Sequence, residues 1–118
     1  MVVVDVGINR IRDLIDSDMY RGQVGSGATA ASTSDTSLVT PHTGSEKTLT
    51  TQTASKQLTV DYVLPATDLN GSTLQEVGYF INSASSTLLS RHVYTSIAKD
   101  SIEEIQFTVI YKFENPVS

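Results

Sequence analysis

Residues 105–113 place the tightest limit on what this chain can fold into. Ile105, Phe107, Val109, Tyr111 and Phe113 alternate with Gln106, Thr108 and Lys112. A period of two sends the apolar set to one face of a strand and would scatter it around a helix. A strand of this kind is stable only with partner strands and a second layer over its apolar face. Leu58, Val60, Tyr62 and Leu64 repeat the alternation against Gln57, Thr59, Asp61 and Val63.

Other segments supply the partners. Tyr20 to Val24 reads as a short strand and Lys47 to Thr53 as a Thr-rich one. Glu76 to Ile81 and Leu88 to Tyr94 flank a small-residue turn, Asn82 to Ser86. Asp68-Leu69-Asn70-Gly71 and Lys99-Asp100-Ser101 are turn signals, and Pro116 is expected to close the ladder. Turns recurring about every ten to twelve residues predict a mainly β chain, an antiparallel β-sandwich or open barrel.

Two stretches depart from the strand pattern. Within residues 4–16, Val4, Ile8, Ile11, Leu14 and Ile15 fall at helical spacing, while Arg10, Arg12, Asp13 and Asp16 face away or border them. This predicts one short N-terminal amphipathic helix, weakened by about 1 kcal/mol at Gly7 relative to Ala. Residues 25–46 are rich in Ser, Thr, Gly and Ala, with Leu38 and Val39 as the main apolar anchors. So little apolar surface predicts a long loop or arm, mobile in an isolated chain and ordered against a neighbouring subunit. The expected organisation is a single domain over 1–118: helix 4–16, loop or arm 25–46, and β-rich core 47–114.

Charge and composition narrow the function. The net charge is −5, and no basic run interleaves with aromatics, which argues against a nucleic-acid partner. No apolar stretch of ~20 residues is present, so neither a membrane span nor a secretion signal is expected. The absence of cysteine removes disulfides, thiolate metal sites and thiol nucleophiles together.

Candidate sites are each weak. Gly25-Ser26-Gly27-Ala28-Thr29 lacks the Lys that a phosphate loop requires, so it reads as a turn. Asp13, Asp16 and Asp18 could offer oxygens to a hard cation, but no turn glycine or bidentate Glu is placed as a calcium loop needs. His42 and His92, the only histidines, belong to no zinc pattern and read as surface or edge residues. Glu76 with Glu103 or Glu104 could form the carboxylate pair of a glycosidase, yet the chain has no Trp and only 7% aromatic residues for a sugar platform. Asn70-Gly71-Ser72 matches a glycosylation acceptor but is equally a conformational turn. No catalytic residue, cofactor, metal or small-molecule substrate is expected.

Taken in order, the motifs resemble a family of structural domains from tailed viruses, found in tail-fibre, tail-collar and baseplate-associated proteins and in small virion proteins of phages and archaeal tailed viruses. The short helix Gly7 to Ile15 is followed by Gly25 to Thr29, a Gly-x-Gly-x-Thr segment, and then by Ser34-Asp35-Thr36-Ser37-Leu38. After an alternating strand comes Asn70-Gly71, and then Glu76 to Phe80, similar to the family's Glu-Ile-Gly-Leu-Phe with Tyr79 in place of Leu. Leu88-Leu89-Ser90-Arg91, Lys99 and a final alternating strand complete the match, which runs from about Gly7 to Phe113.

The resemblance implies a non-enzymatic structural protein of a virion assembled in the host cytoplasm. It would serve as a capsid decoration or turret, or as a tail or baseplate attachment domain, with copies of itself and other virion proteins as partners. Asp35, Leu38, Glu76, Gly78, Arg91 and Lys99 are the expected structural or interface residues. Gly78 should mark a close approach, because Gly otherwise weakens a strand. Glu76, Arg91 and Lys99 are scarce charges in a Ser/Thr-rich chain and are expected to pair with one another. A free-standing glycan- or receptor-binding β module is the alternative.

Overall fold

The alternating segments pair as their periodicity requires. In the computed structural model, which describes residues 2–114, helix α1 (Asp5–Asp18) leads into strands β1 (Met19–Gly25), β2 (Lys47–Thr48), β3 (Thr50–Ala54), β4 (Gln57–Leu64), β5 (Thr73–Ile81), β6 (Thr87–Ala98) and β7 (Ile105–Lys112). Pro116 lies outside the described residues. The strands form two antiparallel sheets, β2-β1-β5-β6 and β3-β4-β7, stacked as a sandwich.

The core lies between the sheets. Leu58, Val60, Tyr62 and Leu64 of β4 are fully buried against Val24, Leu74, Val77 and Tyr79. The β4 and β7 registers align Leu58 with Tyr111, Val60 with Val109 and Tyr62 with Phe107, which puts the two alternating sets on one face. Two buried hydroxyls are satisfied in place: Tyr62 donates to the Ser45 carbonyl (2.7 Å) and Tyr79 to the Phe107 carbonyl (3.2 Å).

The expected strand Lys47 to Thr53 is two strands in different sheets. β2 pairs with β1, β3 pairs with β4, and between them Leu49 packs on the core as the chain crosses from one sheet to the other. That crossing closes one side of the sandwich with covalent chain. β3 and β4 meet at the two-residue turn Ser55-Lys56, where Lys56 takes φ +55°.

Helix α1 forms where it was expected but covers the sheet with a different face. Ile8 is buried and Ile15 packs on the core, whereas Val4, Ile11 and Leu14 are exposed. The helix is instead anchored by polar groups. Asn9 Oδ1 accepts from the Lys56 N–H (2.7 Å), and Arg12 donates to the Ala54 carbonyl (2.6 Å), so Arg12 does not face away. These bonds rotate the helix toward the β3–β4 turn and leave part of its apolar stripe uncovered.

The segment expected to be an arm is the largest correction. It does not project: residues 26–45 fold back as a strap over the outer face of β5 and β6. The strap leaves and returns beside β1, with Ser26 N–H bonded to the Thr40 carbonyl (3.0 Å), His42 N–H to the Val24 carbonyl (2.9 Å), and a bridge between Gly25 and Pro41. Its lower end is pinned by Ser45, whose buried hydroxyl bonds the Val24 carbonyl (3.1 Å) and accepts from the Val24 N–H (3.2 Å).

Candidate functional site

What holds a strap of Ser, Thr and Gly in place is a cluster of charge buried under it. In β5, Val77 and Tyr79 face the sandwich core, so the alternate residues Glu76 and Gly78 face the strap. The side chain of Glu76 is fully buried, which would be costly without partners. It has four. Oε1 accepts from the Val39 N–H (2.9 Å) and from Arg91 Nε (2.8 Å). Oε2 accepts from the Gly27 N–H (2.9 Å) and the Thr40 N–H (2.8 Å).

Arg91 stands on the neighbouring strand, where β6 pairs Arg91 with Gly78. It is 6% exposed and spends its remaining donors on the strap. Nη1 bonds Asp35 Oδ2 (3.1 Å) and Nη2 bonds the Thr29 carbonyl (2.7 Å). Asp35 also accepts from the Ser32 N–H (2.9 Å), which folds the strap's tip into a small turn. A planar guanidinium suits this task, since it reaches two acidic groups and a carbonyl at once.

The electrostatics follow from these bonds. Burial pushes the Glu76 carboxyl up, but the Arg91 hydrogen bond and the N–H groups of Thr40, Val39 and Gly27 outweigh it and hold the group below its ordinary value of 4.5. The Ser32 N–H, aided by Arg91 against partial desolvation, likewise holds Asp35 below 3.8. Arg91 is raised, first by its hydrogen bond to Glu76. All three groups are therefore charged in the folded chain near neutral pH.

Apolar contact completes the clamp. Leu38 is 3% exposed and seats its Cδ2 over Gly78, 2.6 Å from where a Cβ would stand. At Gly27, a Cβ would lie 2.5 Å from Glu76 Oε2 and 2.7 Å from the Val39 Cβ. Both positions need glycine because other groups occupy the space of a side chain.

Five of the six expected residues thus meet in one place: Asp35, Leu38, Glu76, Gly78 and Arg91. Lys99 does not join them. It is buried at the far end of β6, where its ammonium donates to the Ala66 carbonyl (3.0 Å), Asn70 Oδ1 (3.0 Å) and the Asp100 carbonyl (2.8 Å). The expected three-way pairing is replaced by an Arg91 paired with Glu76 and Asp35, and by a separate cup of neutral oxygens around Lys99. Charge does not bring Lys99 to a carboxylate, because the 65–72 loop offers neutral oxygens at hydrogen-bonding distance.

Sequence reasoning missed Ser45, Thr29 and the backbone donors of Gly27, Val39 and Thr40. Main-chain N–H groups carry no side-chain signature, so only a buried acid with too few basic partners could have pointed to them. The other candidates are dispersed. Glu103 and Glu104 are exposed in the segment before β7, while Glu76 is enclosed by its four donors. Asp13 accepts from Arg12 (2.7 Å), and among the described residues no three His, Asp or Glu side chains are grouped to hold a metal ion. His42 Nε2 lies 2.8 Å from the Thr73 carbonyl, and His92 is exposed on β6. Among the described residues no helix is long and apolar enough to cross a membrane.

Compared with known proteins, the chain matches no family model and no curated protein.

Proposed function

We propose that this chain is a non-enzymatic structural protein of a tailed-virus particle, which acts by packing against copies of itself and against other virion proteins. The observation that carries the reading is the convergence of the motif pieces. Gly-x-Gly-x-Thr, Ser-Asp-Thr-x-Leu, Glu-Val-Gly-Tyr-Phe and Leu-Leu-Ser-Arg are separated along the chain by as many as 62 positions between bonded residues, yet they meet at the Glu76–Arg91 clamp. Residues that resemble a structural family's motifs are here the residues that hold the strap on the sheet. That use fits a scaffold, and it occupies the one buried carboxylate among the described residues that could otherwise serve acid–base chemistry.

The arm expected to reach a neighbouring subunit gives assembly no support, since the strap is tied to its own sheet; the reading rests on the motif resemblance. For the glycan-binding alternative, four of the five tyrosines have their hydroxyls tied within the chain, and the Tyr20 ring lies under the Arg21 guanidinium. The hydroxyls of Tyr62, Tyr79 and Tyr94 bond the carbonyls of Ser45, Phe107 and Glu76, and the Tyr111 hydroxyl bonds Ser90. Tyr62 is enclosed in the core, while Tyr79 and Tyr94 line the cleft between β6 and β7.

The test is localisation on particles. An antibody raised against the purified chain should label banded particles from cultures of the source, at head or tail, and peptide mass spectrometry should find the chain in them. Its absence from every particle fraction, with abundant free protein, would overturn the reading.

A further inference from the structure

We infer that the edge strand β6 is a self-pairing surface, through which two copies of this chain join their larger sheets antiparallel about a two-fold axis near Val93. This builds on the assembly reading above and names the surface that assembly uses. The sandwich is closed on the side of β2 and β3, where β2 has only two residues and the chain crosses between sheets at Leu49. The other side is open. There β6 pairs with β5 alone and β7 with β4 alone, so two adjacent edges present unpaired backbone groups.

Between those edges the core is unfinished. A cleft of about 670 Å³ opens between β6 and β7, and Val77, Tyr79, Tyr94, Ile97, Phe107 and Val109 line it. Phe107, Val109 and Tyr111, the residues whose alternation defines β7, are only half-buried. Their counterparts on β4 are fully buried.

Natural edge strands are usually guarded by charge, proline, a bulge or short length. β6 runs for 12 residues without proline, although its pairing with β5 does shift register in two places. Its one permanently charged residue is Arg91, whose guanidinium is turned inward to Glu76. In a chain of net charge −5, this edge is therefore a place where two copies approach without like charges meeting.

The occupant is a second copy because the strand is complementary to itself. With the axis at Val93, His92 faces Tyr94, so the aromatic lining of each cleft continues into the other, and Arg91 is the strand's one permanent charge. The pairing is regular only close to the axis, because β6 carries extra residues against β5 at Leu89 and between Val93 and Ile97. The contact needs only one patch on each subunit, as two-fold interfaces do.

The chain has no cysteine, so a single introduced one reports its own neighbour. Val93→Cys should form a disulfide-linked dimer on mild oxidation, since Cα atoms of directly opposed antiparallel residues lie ~4.5–5.5 Å apart. Cross-linking should decline at Ser90→Cys and Ser96→Cys. Mass photometry should find the unmodified protein dimeric or larger, and Thr95→Lys on the exposed edge should weaken the association at least roughly tenfold. Gln52→Lys on β3 should not. A strictly monomeric protein at tens of micromolar would overturn the inference and count against the assembly reading as well. Association that survives Thr95→Lys, gives no β6 cross-link and is lost in Ile11→Glu would overturn this inference alone, placing the contact on α1.

Discussion

Replacing Glu76 by Gln removes one charge and almost no volume, so it isolates the clamp. Each carboxylate oxygen accepts two bonds, Oε1 from Val39 and Arg91, and Oε2 from Gly27 and Thr40. An amide has one oxygen and one NH₂. Whichever way the new amide is turned, two donors point at another donor, and Arg91 stays buried with only Asp35 as an acidic partner. Removing one member of a buried, hydrogen-bonded pair costs about 3–5 kcal/mol. For a domain of this size, 1 kcal/mol moves the thermal midpoint by roughly 3–5 °C, so the expected loss is on the order of 10–20 °C. Circular dichroism melts with urea unfolding measure it, and trypsin, which cuts after Arg91 and Lys47, reports loosening beside the strap. The double variant Glu76→Gln/Arg91→Met should recover part of the loss, because it removes the orphaned charge. A Glu76→Gln protein within about 1 kcal/mol of the parent, with unchanged proteolysis, would refute the reasoning.

Three further outcomes follow from the same geometry. Gly27→Ala puts a methyl 2.5 Å from Glu76 Oε2 and should cost about 1–3 kcal/mol in urea unfolding, despite being an ordinarily mild substitution. Lys99→Met leaves the Ala66 and Asp100 carbonyls and Asn70 Oδ1 without their donor and should cost about 1–3 kcal/mol, while hydrogen exchange in the strap stays unchanged. Glu76 and Asp35 titrate lower in the folded chain than in the unfolded one. Their contribution is therefore fully present above the unfolded values of 4.5 and 3.8 and is lost as pH falls through the lower folded values. Urea midpoints should drop steeply below about pH 5, and that drop should be smaller in Glu76→Gln; a separate, milder decline from neutrality belongs to His92, whose ring is held below its ordinary 6.5 by partial burial.

The strands were legible wherever alternation was strict. β4 and β7 pair at the residues whose period announced them, because burying one face of a pleated strand admits only one phase. β2 and β3 were not separable from sequence, since a Thr-rich run looks the same whether it stays in one sheet or crosses between two at Leu49. The helix was visible in its spacing, but which side of it docks depended on Asn9 and Arg12 finding backbone partners near Lys56. The strap reads as a free arm in the sequence because composition records how little apolar surface a segment carries and not what lies beneath it. Five residues of the clamp stood out as three scarce charges, one glycine and one leucine in matched motifs. Their joining to the N–H groups of Gly27, Val39 and Thr40 was not visible, as it spans 36 to 49 positions and uses main-chain donors.

The most direct test of the clamp is native-state amide hydrogen exchange at Gly27, Val39 and Thr40, resolved by NMR on the purified chain. If Glu76 ties the strap to its own sheet, these three amides exchange as slowly as those of Val60 and Val77 in the core strands, and they become fast in Glu76→Gln. Exchange at the rate of an open loop in the parent protein would contradict the account.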